Sequence, residues 1–217
     1  MQQETTGRFN YAPALAAEFG KAARLAGHIK SAFARWSVNI GGSHLTARLV
    51  TPLVKLIRSD TRHAVGKRSA AWGDTRHLEG FEFNEWYRPR MTGISCRLLR
   101  SAQSDQVLVK TDAFAADAFL TSQVREATHF KAGLLVAAIP LCLHNHTQVF
   151  RDFADSALVG TTSVPSMQVL ADLFIAETPV LYCIALSVAF FRFAGSLSVP
   201  YKQGSKDLLR IIKVFCA

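Results

Sequence analysis

The stretch Thr178-Pro-Val-Leu-Tyr-Cys-Ile-Ala-Leu-Ser-Val-Ala-Phe-Phe-Arg-Phe193 decides the fold class. With a period of two, one side carries Val180, Tyr182, Ile184, Leu186, Val188 and Phe190. The other carries Leu181, Cys183, Ala185, Ser187, Ala189 and Phe191. Successive side chains of a strand point to opposite faces, so this is a bulky face backed by a mostly small one. That pattern suits a central strand of a packed sheet. A helix would put bulky groups all round its axis, and Pro179 and Gly195 leave it only about four turns. The segment is read as a long buried strand.

Outward from it, further strands are predicted at Leu78–Phe83, Thr92–Leu99, Gln106–Thr111, Thr128–Leu141, Val149–Phe153, Met167–Ile175 and Leu208–Phe215. Turn-forming residues separate several of them: 101–105, His144-Asn145-His146, 160–166 and 195–204. Ala113–Val124 fits either a loop or one helical turn. Strands punctuated in this way, without helical periods between them, predict an antiparallel β-sandwich over 78–217 rather than βαβ units.

The front of the chain reads differently. Leu15, Phe19, Ala22, Leu25, Ile29, Phe33 and Trp36 recur every three or four positions, with Asn10 as the expected cap and Pro13 in the first turn. Lys21, Arg24, His28, Lys30 and Arg35 lie opposite. A second helix is predicted through Leu45, Leu49, Leu53, Leu56 and Ile57, capped by Ser43 and either kinked or restarted at Pro52. Residues 58–76 are basic and poor in apolar side chains, which predicts an irregular connection. The expected fold class is therefore α+β, N-terminal helices followed by the sandwich. The expected units are a basic helical region over 1–77 and a β domain over 78–217.

Charge is unevenly divided as well. Residues 1–100 hold sixteen Lys and Arg against seven Asp and Glu, whereas 101–217 hold nine of each. The whole formal excess of +9 sits in the front half, where a polyanion would be drawn. Lys21, Arg24, Arg58, Arg62, Lys67, Arg68 and Arg76 are the candidate polyanion-binding residues. Trp36, Trp72, Trp86 and Tyr87 lie near enough in sequence to offer stacking surfaces.

The apolar runs Gly133–Leu143 and Val180–Phe191 fall well short of the ~20 residues a membrane-crossing helix needs. The start of the chain lacks a basic segment followed by an apolar one, so a cytoplasmic protein is expected. Cys96, Cys142, Cys183 and Cys216 show no C-x-x-C pairing and are expected as free, mostly buried thiols.

Several short elements resemble a group of uncharacterised Bacteroidota proteins. They are Gly66-Lys-Arg-Ser69, Leu78-Glu-Gly-Phe-Glu-Phe-Asn84, Ala127-Thr-His-Phe130, Ala189-Phe-Phe-Arg192 and Leu208-Leu-Arg-Ile-Ile-Lys-Val214. The resemblance implies a basic helical front and a β-rich back. It implies no activity and no functional residue.

Signals for chemistry are thin. His144 and His146 would share a strand face, but nothing nearby completes a metal ligand set, and a polar turn explains them. Glu79, Glu82 and Glu85 cluster, and a solvated strand face accounts for Glu82. Gly66-Lys67-Arg68-Ser69 lacks the upstream glycine and the preceding strand of a phosphate loop. No serine sits in a G-x-S-x-G elbow. No catalytic residue, cofactor or metal is predicted. The expected function is a non-enzymatic structural protein that assembles with copies of itself, its sandwich and helical arm making the contacts. The alternative is a nucleic-acid-associated protein using the basic half, and a capsid-like layout would combine both.

Overall fold

The computed structural model describes residues 11–38, 40, 44–86, 94–100, 106–115, 121, 123–124, 126–141, 150–155, 159–160, 163–164, 166–172, 179–201 and 206–216. The first helix, α1, spans Ala12–Ala32 with Pro13 in its opening turn, and buries Ala22, Leu25, Ala26, Ile29 and Ala32. Phe33 interrupts it before a single turn, α2, at Ala34–Ser37. The third helix, α3, spans Leu45–Arg58 and buries Leu45, Leu49, Leu53 and Leu56 along one stripe. It runs through Pro52 without restarting. Its N-cap is His44, with no side-chain cap bond, and the N-cap of α1 is Tyr11. The expected caps Asn10 and Ser43 lie outside the described residues.

Antiparallel strands follow. They are β1 (Cys96–Arg100), β2 (Gln106–Thr111), β3 (Phe114–Ala115), β4 (His129–Pro140), β5 (Phe150–Asp155), β6 (Val159–Gly160), β7 (Ser163–Val164), β8 (Gln168–Asp172), β9 (Val180–Ala194), β10 (Leu197–Pro200) and β11 (Leu208–Cys216). The long strand read first in the sequence, β9, is central to the larger sheet. It pairs with β4 from Val180↔Pro140 to Phe191↔His129, and with β11 and β10 along its other edge. β5 and β6 pair with β4. A second sheet has the order β1-β2-β8, and β3 and β7 form a small pair of their own.

Two cores explain why β4 and β9 are apolar on both faces. Leu181, Cys183 and Ala185 of β9, with Leu135, Ala137 and Ile139 of β4, lie under α1 and α3. Tyr182, Ile184, Leu186 and Val188 join Val109 of β2 and Val169 of β8 in the other core. The smaller face of β9 is thus the one on which helices lie. A strand buried on both sides needs no polar alternation, only the right volume on each.

The chain is α+β with antiparallel sheets, and its described α-helices lie within residues 12–58. Two readings are corrected. The strand expected at Leu78–Phe83 does not form. Thr75–His77 is a 3-10 turn, Gly80 has φ 80°, and only Glu82 makes an isolated bridge, to Arg210. The stretch 195–204 is not all turn, because Gly195 (φ 65°) tightens a hairpin that sends β10 back along β9. The helical arm is folded against the chain's own sheet, and the helix-side core takes side chains from both sides of the expected boundary at 77/78. No helix among the described residues is long and apolar enough to cross a membrane.

Candidate polyanion-binding site

The basic residues sit around a connection that is far from loose. Where α3 ends, Ser59 Oγ donates to the Leu56 carbonyl at 2.7 Å and accepts from the Asp74 amide at 2.6 Å. Asp60, fully buried, accepts from the amides of Arg62 (2.8 Å) and Ser69 (3.0 Å) and contacts His63 Nδ1 at 2.8 Å. Burial pushes its carboxyl up. The Ser69 and Arg62 amides and His63 outweigh that and hold it at about 2. One carboxylate therefore closes the segment 60–69 on itself.

Two glycines bring this loop onto the helices. A Cβ on Gly73 would lie 1.9 Å from the Leu56 carbonyl oxygen, so only glycine lets the chain lie against the last turn of α3. Gly66 has φ 89°, and a Cβ there would meet the Ala14 Cβ at 2.9 Å. Its amide donates to Glu18 Oε1 at 2.8 Å, and its carbonyl accepts from Lys21 Nζ at 3.0 Å. The Gly66-Lys67-Arg68-Ser69 segment is a docking turn against α1: the glycine amide serves a carboxylate of the chain itself.

Glu18 organises the cations, although the sequence reading passed over it. It is fully buried on α1, with Arg58 Nε at 3.6 Å and Arg68 Nε at 3.9 Å. Lys21 Nζ holds the Gly66 and Arg68 carbonyls, the latter at 2.8 Å. Lys21, Arg58 and Arg68 are thereby drawn together, and all three do structural work. Arg76 forks onto Asp74, with its Nη2 2.8 Å from Oδ2. Arg62 lies 4.1 Å above the ring of Trp72, which is 49% exposed. Arg24 and Lys67 are exposed and form no ion pair with a described carboxylate. Between α1, α3 and the loop lies a cavity of about 230 Å³, with Leu25, Ile57, Ala70 and Leu141 as its apolar wall. Its polar lining is Lys21, Arg24 and Ser69.

The signal for Glu18 was its place in line with Ala22, Leu25 and Ile29: an acid on the buried stripe of a helix needs a partner. Leu15 and Phe19, assigned to that stripe, are instead exposed.

A second polar cluster was also misread. Glu82 is buried rather than solvated, because segment 80–83 lies along the edge of β11. The Gly80 amide donates to Ile211 O, that of Ile211 to Phe81 O, and that of Phe83 to Leu209 O. Arg48 of α3 donates to the Glu82 and Phe83 carbonyls. Arg210 Nε lies 3.2 Å from Glu82 Oε2, yet neither carboxylate oxygen has a well-formed hydrogen bond among the described residues. Burial pushes this carboxyl up to about 8 against the pull of Arg210. Glu79 pairs with Lys213 at 2.9 Å and accepts from the Val214 amide.

The same logic keeps two of the thiols protonated. Burial pushes Cys183 up to about 12 and Cys96 up to about 11. Among the described residues no three His, Cys, Asp or Glu side chains converge as metal ligands. Cys142, His144 and His146 lie outside the described residues. No protein-family model, curated protein or solved structure matches this chain.

Proposed function

We propose that this is a non-enzymatic structural protein that assembles with copies of itself. The observation that carries the reading is a pair of exposed apolar surfaces on opposite outer layers. On the helix side, the first ten residues of the α1 region, 11–20, hold one charged side chain, Glu18, and it is buried. What they offer to solvent is apolar, with Leu15 37% and Phe19 56% exposed one turn apart. On the other side, Leu99, Leu108 and Leu170 sit directly opposite one another across β1, β2 and β8. Leu99 is 52% and Leu170 54% exposed, while Val109 and Val169 point into the core.

The occupant is a second copy, because each copy brings both surfaces. Contact between unlike surfaces repeats head to tail and closes into a ring or continues as a filament. Charge supports this: the basic half of α1, from Lys21 onward, lies beyond the apolar turns, and the back half of the chain is neutral. In this reading the β-rich part is a sandwich, the three-stranded sheet laid over β4 and β9 through their shared core, and its outer leucine row is the docking face.

Light scattering of the purified chain tests the proposal. A species heavier than the 23.8 kDa chain, growing with concentration and persisting in high salt, is expected. Phe19→Glu with Leu15→Glu, or Leu99→Glu with Leu170→Glu, should each return the protein to the monomer, since burying a charge against apolar side chains is costly. A monomer at every concentration would overturn it.

Arg62 over the half-exposed Trp72, with Lys67 and Arg24 also exposed, favours a second reading as a polyanion-binding protein. Its mark is salt dependence: the affinity for a single-stranded oligonucleotide should fall with log salt by about 0.7 per phosphate contact. Arg24→Ala, Arg62→Ala and Lys67→Ala together should flatten that slope.

A further inference from the structure

The cavity beside α1 has a lining that assembly does not use. Its floor is apolar, built from Leu25 of α1, Ile57 of α3 and Leu141 just past the end of β4. Each of its polar side chains, Lys21, Arg24 and Ser69, can donate. Lys21 spends two of its three N–H groups on the Gly66 and Arg68 carbonyls, which hold the ammonium in place and leave one donor over. Ser69 Oγ accepts from the Ala71 amide at 3.3 Å, which leaves its own hydrogen to give. Arg24 brings a guanidinium to the rim and is not paired with a described carboxylate.

Among the described residues no carboxylate lines the cavity. Glu18, one turn before Lys21, is engaged by the Gly66 amide and flanked by Arg58 and Arg68. The local balance is therefore positive, with two cations and a hydroxyl sharing the lining with apolar side chains. That combination orients one small molecule: an anionic head on the donors and a hydrocarbon part on the floor. A cavity of about 230 Å³ is large enough for a small molecule of several non-hydrogen atoms.

We propose that this cavity binds a small carboxylate with a short apolar chain, its head on Arg24, Lys21 and Ser69 and its chain against Leu25, Ile57 and Leu141. Carboxylate geometry matches a guanidinium fork beside an ammonium, and a chain of five or so carbons fills the rest.

Calorimetric titration of the full chain with hexanoate tests this, beside hexylamine, 1-hexanol and acetate. Saturable one-to-one binding of hexanoate is expected, with acetate and 1-hexanol weaker by about tenfold or more and hexylamine not bound, since a charge-assisted hydrogen bond is worth about 1.5–3 kcal/mol. Arg24 is exposed, so Arg24→Ala should fold normally and weaken hexanoate about tenfold. Leu141→Trp should block the cavity. The inference is overturned if hexanoate does not bind, if hexylamine binds as well, or if neither variant changes the affinity. The Phe19→Glu, Leu15→Glu protein should bind hexanoate unchanged, which separates this site from the assembly surfaces.

Discussion

The loop at 59–76 and the strap at 79–84 follow one another in the chain, and each buries an acid. They treat it in opposite ways. Asp60 is met by two backbone amides and a histidine, and its carboxyl stays at about 2. Glu82 has a full cation at 3.2 Å but no well-formed hydrogen bond, and burial lifts it to about 8. A nearby charge does not by itself keep a buried carboxylate ionised, whereas aimed N–H groups do. The loop is held at Asp60 by three aimed contacts; the strap is held by backbone pairing to β11 and carries an unsettled ion pair.

The largest test of that contrast is Gly73→Ala. A Cβ set 1.9 Å from the Leu56 carbonyl oxygen cannot be relieved by a rotamer, because the obstacle is backbone. The loop must lift off α3 and break the Ser59–Asp74 bond. A loss of more than about 3 kcal/mol, or failure to fold, is expected in urea denaturation. A loss near zero would mean that the loop is not seated as described. Next in size is Asp60→Ala, which strips the Arg62 and Ser69 amides of their acceptor. About 2–3 kcal/mol is expected by the same measurement.

These features divide by how visible they were in the sequence. β2 falls at its predicted ends, and β4 and β9 within two residues of theirs, because apolar pattern and strand length are local properties. β10 was lost to its Gly-Ser-Leu-Ser-Val-Pro composition, which reads as loop although Gly195 needs only a tight turn. The basic residues were recognisable as candidates. The anchoring of Lys21, Arg58 and Arg68 was not: Glu18 meets Gly66 across 48 positions, and Lys21 meets Arg68 across 47. Local periodicity carries no record of such pairs. The same holds for Leu99, Leu108 and Leu170, which become one row only when the register is known.

Comparable in size with the Asp60 substitution is the effect of pH on the strap, and its sign differs from that of the loop. Asp60, lowered from 3.8 to about 2, stabilises the fold above 3.8 and loses that contribution as pH falls through 2. Glu82, raised from 4.5 to about 8, holds a proton in the folded state that the unfolded chain has already released between those values. Stability therefore falls as pH rises through that window, by the order of a few kcal/mol. Asp207, half-buried and raised from 3.8 to about 7 by burial, adds in the same direction. Glu82→Gln should flatten the decline between pH 5 and about 8 without abolishing it, read as the denaturation midpoint against pH. A slope unchanged in that variant would assign the decline to Asp207 alone.

The smallest expected effect separates two reasons for glycine. Gly80 in the strap has φ 80°, yet a Cβ there would meet nothing within 4 Å. Gly80→Ala should cost about 1–2 kcal/mol, the left-handed penalty of an L-residue, without disturbing the pairing to β11. Gly73 has an ordinary backbone angle and no room; Gly80 has room and a left-handed angle. If Gly80→Ala proved as damaging as Gly73→Ala, the strap would be as tightly seated as the loop. The unsettled Glu82–Arg210 pair would then belong to a rigid edge rather than to one that gives.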